Sequence, residues 1–246
     1  MNGIKDGYKI DPLGTLLQSN RYGGRGIVIG KSANGKKAVF AYFIMGRSEN
    51  SRNRIFLEKE DEVVIHAYDP AKLADPTLII YSPVKRYQNH IIVTNGDQTD
   101  TVYEFLSKGK SFEEALETRE FEPDMPNLTP RISGILTLNE GDFSYKMSIL
   151  KSGMPDGSVC SRYTFSYTPV SGLGHYLHTY QCDGDPIPTF WGEPERVAVS
   201  DDIDSFTSEI WTSLDAENKV SLYVRFIDLA DGSEESRLIN KHRQAE

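Results

Sequence analysis

The order of the hydrophobic runs constrains this chain more than any other feature of it. GRGIVIGKS at residues 24–32 and KKAVFAYFIM at residues 36–45 are apolar and rich in β-branched or aromatic residues. Between them Ala33-Asn34-Gly35-Lys36 supplies the Asn-Gly of a tight hairpin turn. DEVVIHAY, TLIIY and QNHIIVTN continue the strand pattern, broken by Asp69-Pro70 and Ser82-Pro83. Five strands are therefore expected before any clear helix. From Asp97 the spacing of Val102, Phe105 and Leu106 predicts a helix that Gly109 stops, and Ser111 with Glu114 reads as the capping box of a second, short helix to about Arg119. After the loop FEPDMPNLTP, RISGILTLN and FSYKMSILKS predict a hairpin across Asn139-Glu140-Gly141-Asp142, followed by strands in CSRYTFSYT and HYLHTYQ. DIDSFTSEIWTSLD places Ile203, Phe206, Ile210 and Leu214 on one helical face, and KVSLYVRFID is a closing strand. The regular βα alternation of a doubly wound parallel sheet is missing, so the expectation is an α+β sandwich of two sheets flanked by helices.

One core suffices for 246 residues. A single domain, 1–246, is expected, with an N-terminal extension at 1–19, a core at 20–199, a helix and strand at 200–230 and a loosely held charged tail at 231–246. The polar first residues lack a signal-peptide core and no run is long enough for a membrane helix, which predicts a cytoplasmic protein that does not engage membranes. Cys160 and Cys182 are expected to be reduced structural thiols.

A net charge of −9 argues against nucleic acid as a partner, because nonspecific binding to phosphate polymers needs a basic surface. Yet residues 21–56 hold eight basic side chains and one acidic one, Glu49, while the remainder holds 19 basic and 35 acidic. A compact cationic segment in an acidic chain suits a small anionic ligand. Lys31, Lys36 and Lys37 are accounted for by solvating the hairpin, but the arginines cluster in two loops. NRYGGRG at 20–26 combines Arg21 and Arg25 with three glycines that let the backbone approach a ligand. MGRSENSRNR at 45–54 packs three arginines, two serines and two asparagines into ten residues, a density of directional donors suited to recognition. NGDQTD at 95–100 joins a strand to a helix, and Glu122 with Arg131 flanks the later hairpin. His175, His178 and Cys182 could suggest a metal, but strand alternation sends the two histidines to opposite faces, so no metal is expected.

Taken together, RYGGRG, the loop ending in Asn53-Arg54, IIYSPV around Tyr81, IIVTNGDQTD, TPRISGI and HYLHTYQ resemble, in order and approximate spacing, the archaeal-type IMP cyclohydrolases. The similarity runs from about Asn20 to about Trp191; the loop FEPDMPNLTP departs from the family's spacing. The resemblance implies a four-layer αββα sandwich like that of the N-terminal nucleophile hydrolases, without their self-processed nucleophile. It also implies the reaction, in which the carboxamide nitrogen of a formylated purine-precursor nucleotide attacks its own formyl carbon and water is lost; with both reacting groups on one ring, no cofactor is required. Arg54 then stabilises the developing oxyanion, Glu122 moves protons and Tyr81 donates or orients through its hydroxyl. Arg21, Arg25 and Arg47 become candidates for the phosphate, Asn53 and Asn95 for the base edge or ribose, and Arg131 completes the substrate-binding set. The partner is a purine nucleotide, and a homo-oligomer is compatible with the sequence.

Two other readings compete. An N-terminal nucleophile amide hydrolase would need a Ser, Thr or Cys freed as a new terminus, whereas Met1 opens an unprocessed sequence. A non-catalytic purine nucleotide-binding protein would keep the pocket and never turn the nucleotide over.

Overall fold

The computed structural model describes residues 6–73, 76 and 78–242. In chain order the elements are α1 (Leu13–Ser19), β1 (Arg25–Lys31), β2 (Lys37–Met45), α2 (Glu49–Arg52), β3 (Arg54–Lys59), β4 (Glu62–Ala67), β5 (Val84–Tyr87), β6 (His90–Thr94), α3 (Gln98–Ser107) and α4 (Phe112–Glu117). They continue with β7 (Arg131–Asn139), β8 (Asp142–Ser152), β9 (Cys160–Tyr167), β10 (Leu173–His178), β11 (Glu195–Ala198), α5 (Ile203–Ser213), β12 (Lys219–Asp228) and β13 (Glu234–Asn240). The protein is α+β. One antiparallel sheet runs β11-β10-β1-β2-β12-β13 and the other β3-β4-β5-β6-β7-β8-β9. Among the described residues no helix is long and apolar enough to cross a membrane.

Strand alternation explains where the apolar residues go. Ile27 and Ile29 of β1, Phe40, Tyr42 and Ile44 of β2, and Tyr223 of β12 share one buried cluster with Phe56 of β3, Ile91 and Val93 of β6, Ile132 and Leu136 of β7, and Met147 and Ile149 of β8. This cluster joins the facing surfaces of the two sheets. The alternate residues of the first sheet, among them Val28, Phe43, Leu222 and Val224, pack against Leu13 and Leu17 of α1 and Ile203, Phe206 and Ile210 of α5. On the second sheet Ile92, Ile135 and Leu150 pack against Val102 of α3 and Phe112 and Leu116 of α4. Asn240 ties the sheets at one edge, accepting from the Phe56 amide at 2.8 Å and donating to the Phe56 carbonyl at 2.9 Å.

Both predicted hairpins form, and Gly35 and Gly141 take the positive φ their turns require, 74° and 73°. The capping box at Ser111 and Glu114 is present, and Asp202 caps α5. Several expectations need correction. Two helices come before α3: α1, which precedes β1 and where Leu13 and Leu17 are spaced to face the core, and the single turn α2 between β2 and β3, which the reciprocal bonds of Ser48 and Ser51 close. TLIIY is not a strand in its described part. Ile79 and Ile80 donate their amides back to the Pro76 carbonyl at 3.1 and 2.9 Å, so their backbone bonds are made within a turn, and the strand instead lies beyond Pro83 as β5. The tail is not loose over its described length, because β13 pairs with β12 from Glu234 to Asn240; residues 243–246 lie outside the described part.

The β1–β10 ladder that carries part of the site below depends on a close approach. Gly30 pairs with Gly174, and a Cβ on Gly30 would come within 2.5 Å of the Gly174 Cα and 2.6 Å of the Leu173 carbonyl oxygen. Those are backbone atoms that cannot rotate away. Gly30→Ala is therefore expected to destabilise by about 1–3 kcal/mol, measured as a lower midpoint in denaturant; an unchanged midpoint would show that the ladder has slack.

Candidate active site

The strand periodicity that fills the inter-sheet core also aims two arginines into its end. Arg25 is the first residue of β1, two before Ile27 on the same face, and Arg54 is the first residue of β3, two before Phe56. Both are buried, Arg25 at 8% exposure and Arg54 at 1%. Glu122, 2% exposed, comes from the loop before β7, and its Oε2 lies 3.6 Å from Arg25 Nη2. The Glu122 amide donates to the Thr129 carbonyl at 2.9 Å, which pins the loop where the carboxylate enters. Arg54 donates from Nε to the Ser51 carbonyl at 2.7 Å and from Nη2 to the Met45 carbonyl at 3.1 Å, so the arginine-serine loop grips its own arginine. The hydroxyls of Tyr42 and Tyr81 are 2.8 Å apart in the same core.

Above these groups lies a cleft of about 360 Å³. Arg25 and Glu122 line it together with Tyr22, Arg47, Ser48, Ser51, Asp124, Thr129 and Tyr180, and Leu78, Ile79 and Ile187 provide an apolar wall. Its back is possible only because of Gly24, whose φ is +78° and whose absent Cβ would lie 2.2 Å from Thr179 Oγ1 and 2.5 Å from the Tyr180 ring. Thr179 secures this approach by accepting from the Arg25 amide at 3.2 Å and donating to the Gly23 carbonyl at 3.1 Å.

Three polar atoms at this end of the core, Arg25 Nε, Arg54 Nη1 and Glu122 Oε1, are buried without a hydrogen-bond partner among the described residues. Groups of this kind cost about 1–3 kcal/mol each when left unsatisfied, so three of them at one end of the core call for a physical reason. The ionic partners respond to burial in opposite ways. Burial alone would lower the Arg25 value, but Glu122 and the nearby tyrosine hydroxyls outweigh it and hold the guanidinium well above its ordinary value. For Glu122 burial is the larger influence and pushes the carboxyl up, with Asp124 adding to the rise, against the pull of Arg25, Arg131 and Arg54. Burial and then Arg25 bring Arg54 down, opposed by Tyr81 and Tyr42. The Tyr42 hydroxyl is held well up, by burial first and Tyr81 second. The result is a site with two fixed cations and a carboxyl inclined to hold a proton.

The structure thus brings Arg25, Arg54, Tyr81 and Glu122 together, with Arg47 on the cleft wall. Arg47 sits over the Tyr22 ring at 5.0 Å and bonds to Asp183 Oδ1 at 2.6 Å and the Gly184 carbonyl at 2.8 Å. Arg21 is elsewhere, an exposed side chain paired with Glu217 at 3.1 Å and Asp215 at 3.6 Å. Asn53 and Asn95 face inward and close backbone: Asn53 exchanges bonds with Asp69, and Asn95 donates to the Pro130 carbonyl and accepts from the Ile132 amide. Arg131 is engaged by Gln98 and Asp97, both at 2.7 Å. His175 and His178 do point to opposite sides of β10, one stacked on Tyr167 and the other on Tyr176. Tyr22, Tyr180, Thr129 and Asp124 were not among the expected residues, although RYGGRG and HYLHTYQ contain the two tyrosines.

The raised Glu122 value has a consequence for stability. A carboxyl whose value is higher folded than unfolded favours the folded state most below the unfolded value, and loses that contribution as pH rises through the folded one. Glutamine never ionises. Glu122→Gln is therefore expected to unfold at a higher temperature than the parent near pH 7.5, with the gap closing by pH 4. Parallel curves at both pH values would mean that the carboxyl titrates as it does in the unfolded chain.

A family model described as IMP cyclohydrolase-like protein matches residues 22–233, a span that includes α5 and β12 and so reaches well past Trp191. The IMP cyclohydrolase of Methanococcus aeolicus is 29% identical over 166 residues, which cover 65% of this chain and 75% of that protein. That of Methanocaldococcus jannaschii is 32% identical over 126 residues, 50% of this chain and 61% of the relative. That of Methanococcus maripaludis is 32% identical over 129 residues, 50% of this chain and 62% of the relative. Matched from Tyr22 to Ser233, this chain belongs to the IMP cyclohydrolase-like family.

Proposed function

We propose that the protein is an IMP cyclohydrolase, closing the purine ring of 5-formamidoimidazole-4-carboxamide ribonucleotide. The observation that carries this reading is the pair of buried Arg25 and Glu122 atoms, unpartnered among the described residues, in the lining of the cleft, with Arg54 Nη1 likewise unpartnered at the same end of the core. A volume of about 360 Å³ falls in the range, about 300–1,000 Å³, of small-molecule sites. The helices on the outer faces of both sheets support reading the fold as a single-domain, four-layer αββα sandwich of the N-terminal nucleophile hydrolase type.

The chemistry asks little beyond positioning, proton movement and stabilisation of charge. Nucleophile and electrophile are attached to one ring, so holding them face to face supplies much of the acceleration. As the carboxamide nitrogen bonds to the formyl carbon, the carbonyl π electrons move to oxygen. Arg54, permanently charged and with Nη1 uncommitted, stabilises that oxyanion, and Tyr81 donates or orients beside it. Glu122, ionised at this step, takes a proton from the nitrogen and returns it to the oxygen to give the carbinolamine. Loss of that hydroxyl as water, with a proton from the former formamide nitrogen, forms the ring's C=N bond. A carboxyl raised by burial is suited to both halves of this traffic, since it holds a proton more readily than an ordinary glutamate and can still give it back. Arg25 fixes the carboxylate and adds charge toward the nucleotide, and Arg47 on the wall is the phosphate donor.

An ultraviolet assay of ring closure with the formylated nucleotide tests the reading. Arg54→Lys should lower kcat by about a hundredfold to a thousandfold with little change in KM, because lysine keeps the charge and loses the planar fork. Glu122→Gln should flatten the limb of the pH–rate profile that reports its ionisation. A parent protein that binds the nucleotide tightly and never closes the ring would instead be a nucleotide-binding protein.

A further inference from the structure

Tyr180 is at once a core residue and a wall of the cleft. Its ring stacks on Tyr22, 5.7 Å between centroids and 20° apart, yet it also lines the cleft, beside Arg25 and Glu122. Its hydroxyl is 2.5 Å from Thr129 Oγ1. Thr129 is fully buried, and the same Oγ1 bonds to Asp124 Oδ2 while the Thr129 amide donates to Asp124 Oδ1 at 2.6 Å. The direction of this chain follows from counting hydrogens. Asp124, as a carboxylate, has none to give, so the single hydroxyl hydrogen of Thr129 goes to Asp124. Thr129 then has only lone pairs for Tyr180, whose own hydrogen must point inward to Thr129. Burial, opposed by Arg25 and Thr129, pushes the Tyr180 hydroxyl up to about 12, so it keeps that hydrogen. What the oxygen offers the cleft is a lone pair and no donor.

We propose that the Asp124–Thr129–Tyr180 chain makes Tyr180 a fixed hydrogen-bond acceptor that selects the substrate's carboxamide N–H over a carboxylate at the same ring position. The assignment rests on the cyclohydrolase reading above and deepens it. The reacting groups must lie beside Glu122, and Tyr180 lines the same cleft and is bonded to Thr129, whose carbonyl holds the Glu122 amide. Asp124 adds a negative charge there, which disfavours the phosphate and leaves it to the Arg47 side. Accepting one carboxamide N–H sets the plane of the amide and leaves its other N–H for Glu122. A carboxylate brings only acceptors, so its oxygen would face the Tyr180 oxygen with no hydrogen between them.

Calorimetric titration with two unreactive probes tests this, 5-aminoimidazole-4-carboxamide ribonucleotide and the corresponding 4-carboxylate ribonucleotide. The parent is expected to prefer the carboxamide by about a hundredfold. Tyr180→Phe, which keeps the stack on Tyr22, should cut that preference about tenfold, the scale of one hydrogen bond to a charged or well-oriented group. Asp124→Asn should cut it further, because the amide can donate to Thr129 and turn the chain around, making Tyr180 a donor toward the cleft. Thr129→Val breaks the chain without a change of charge and should also reduce the preference. Arg47→Ala should weaken both probes alike and leave the ratio intact. An unchanged ratio in Tyr180→Phe and Thr129→Val, with both probes still binding, would overturn the assignment while the cyclohydrolase reading stands. If neither probe binds the parent, that reading fails first and takes this one with it.

Discussion

Everything in this protein is arranged around the apolar contact between two antiparallel sheets. Because side chains alternate along a strand, a residue that lies two positions before a core residue shares its direction, and the first residues of β1 and β3 are such positions. The core therefore does more than hold the sheets together. At its open end it removes water from Arg25 and Arg54 while Ile27 and Phe56, two positions further on, are packed in the centre. The loop that brings Glu122 needs only to cover that end, and the Thr129 carbonyl and the Asp124 side chain fasten it there.

The site sets function against stability. Two guanidinium groups, one carboxyl and a pair of tyrosine hydroxyls share a space that excludes solvent, and not all of their polar atoms are satisfied. Burial of a carboxylate is expensive unless it is paired, and pairing at 3.6 Å with Arg25 offsets only part of that cost. The remaining imbalance pushes the Glu122 carboxyl up and leaves Arg54 Nη1 without a partner among the described residues. A sheet core with so many fully buried aromatic and β-branched residues can hold groups that would not stay buried by themselves.

Local periodicity made much of the fold legible in the sequence. The two hairpins around Gly35 and Gly141, the capping box at Ser111, and the limits of β7 and β12 all follow from short-range patterns. Other features depend on partners distant in sequence. β13 reads as a charged tail until β12 is beside it, β11 has four residues, and α1 is a helix of seven that owes its place to α5. The site divides the same way. Charge density pointed to the arginine loops, and Arg25, Arg47 and Arg54 do converge there with Glu122. It could not separate Arg21, which pairs with Asp215 and Glu217 on the surface, from Arg25 four residues later, whose neighbours point it inward. Nor could it show that Asn53 and Asn95 brace backbone, or that Tyr22 and Tyr180 are cleft walls and not ordinary core aromatics.

The Glu122 carboxyl, although beside Arg25, is inclined to hold its proton. Infrared difference spectra between the parent and Glu122→Gln, recorded across a pH series, isolate that one carboxyl. A protonated-carboxyl band, missing from the glutamine variant, is expected to persist above the ordinary glutamate value of about 4.3. A band that has already vanished at or below that value would show a permanently ionised Glu122, and the proton carrier would have to be sought elsewhere.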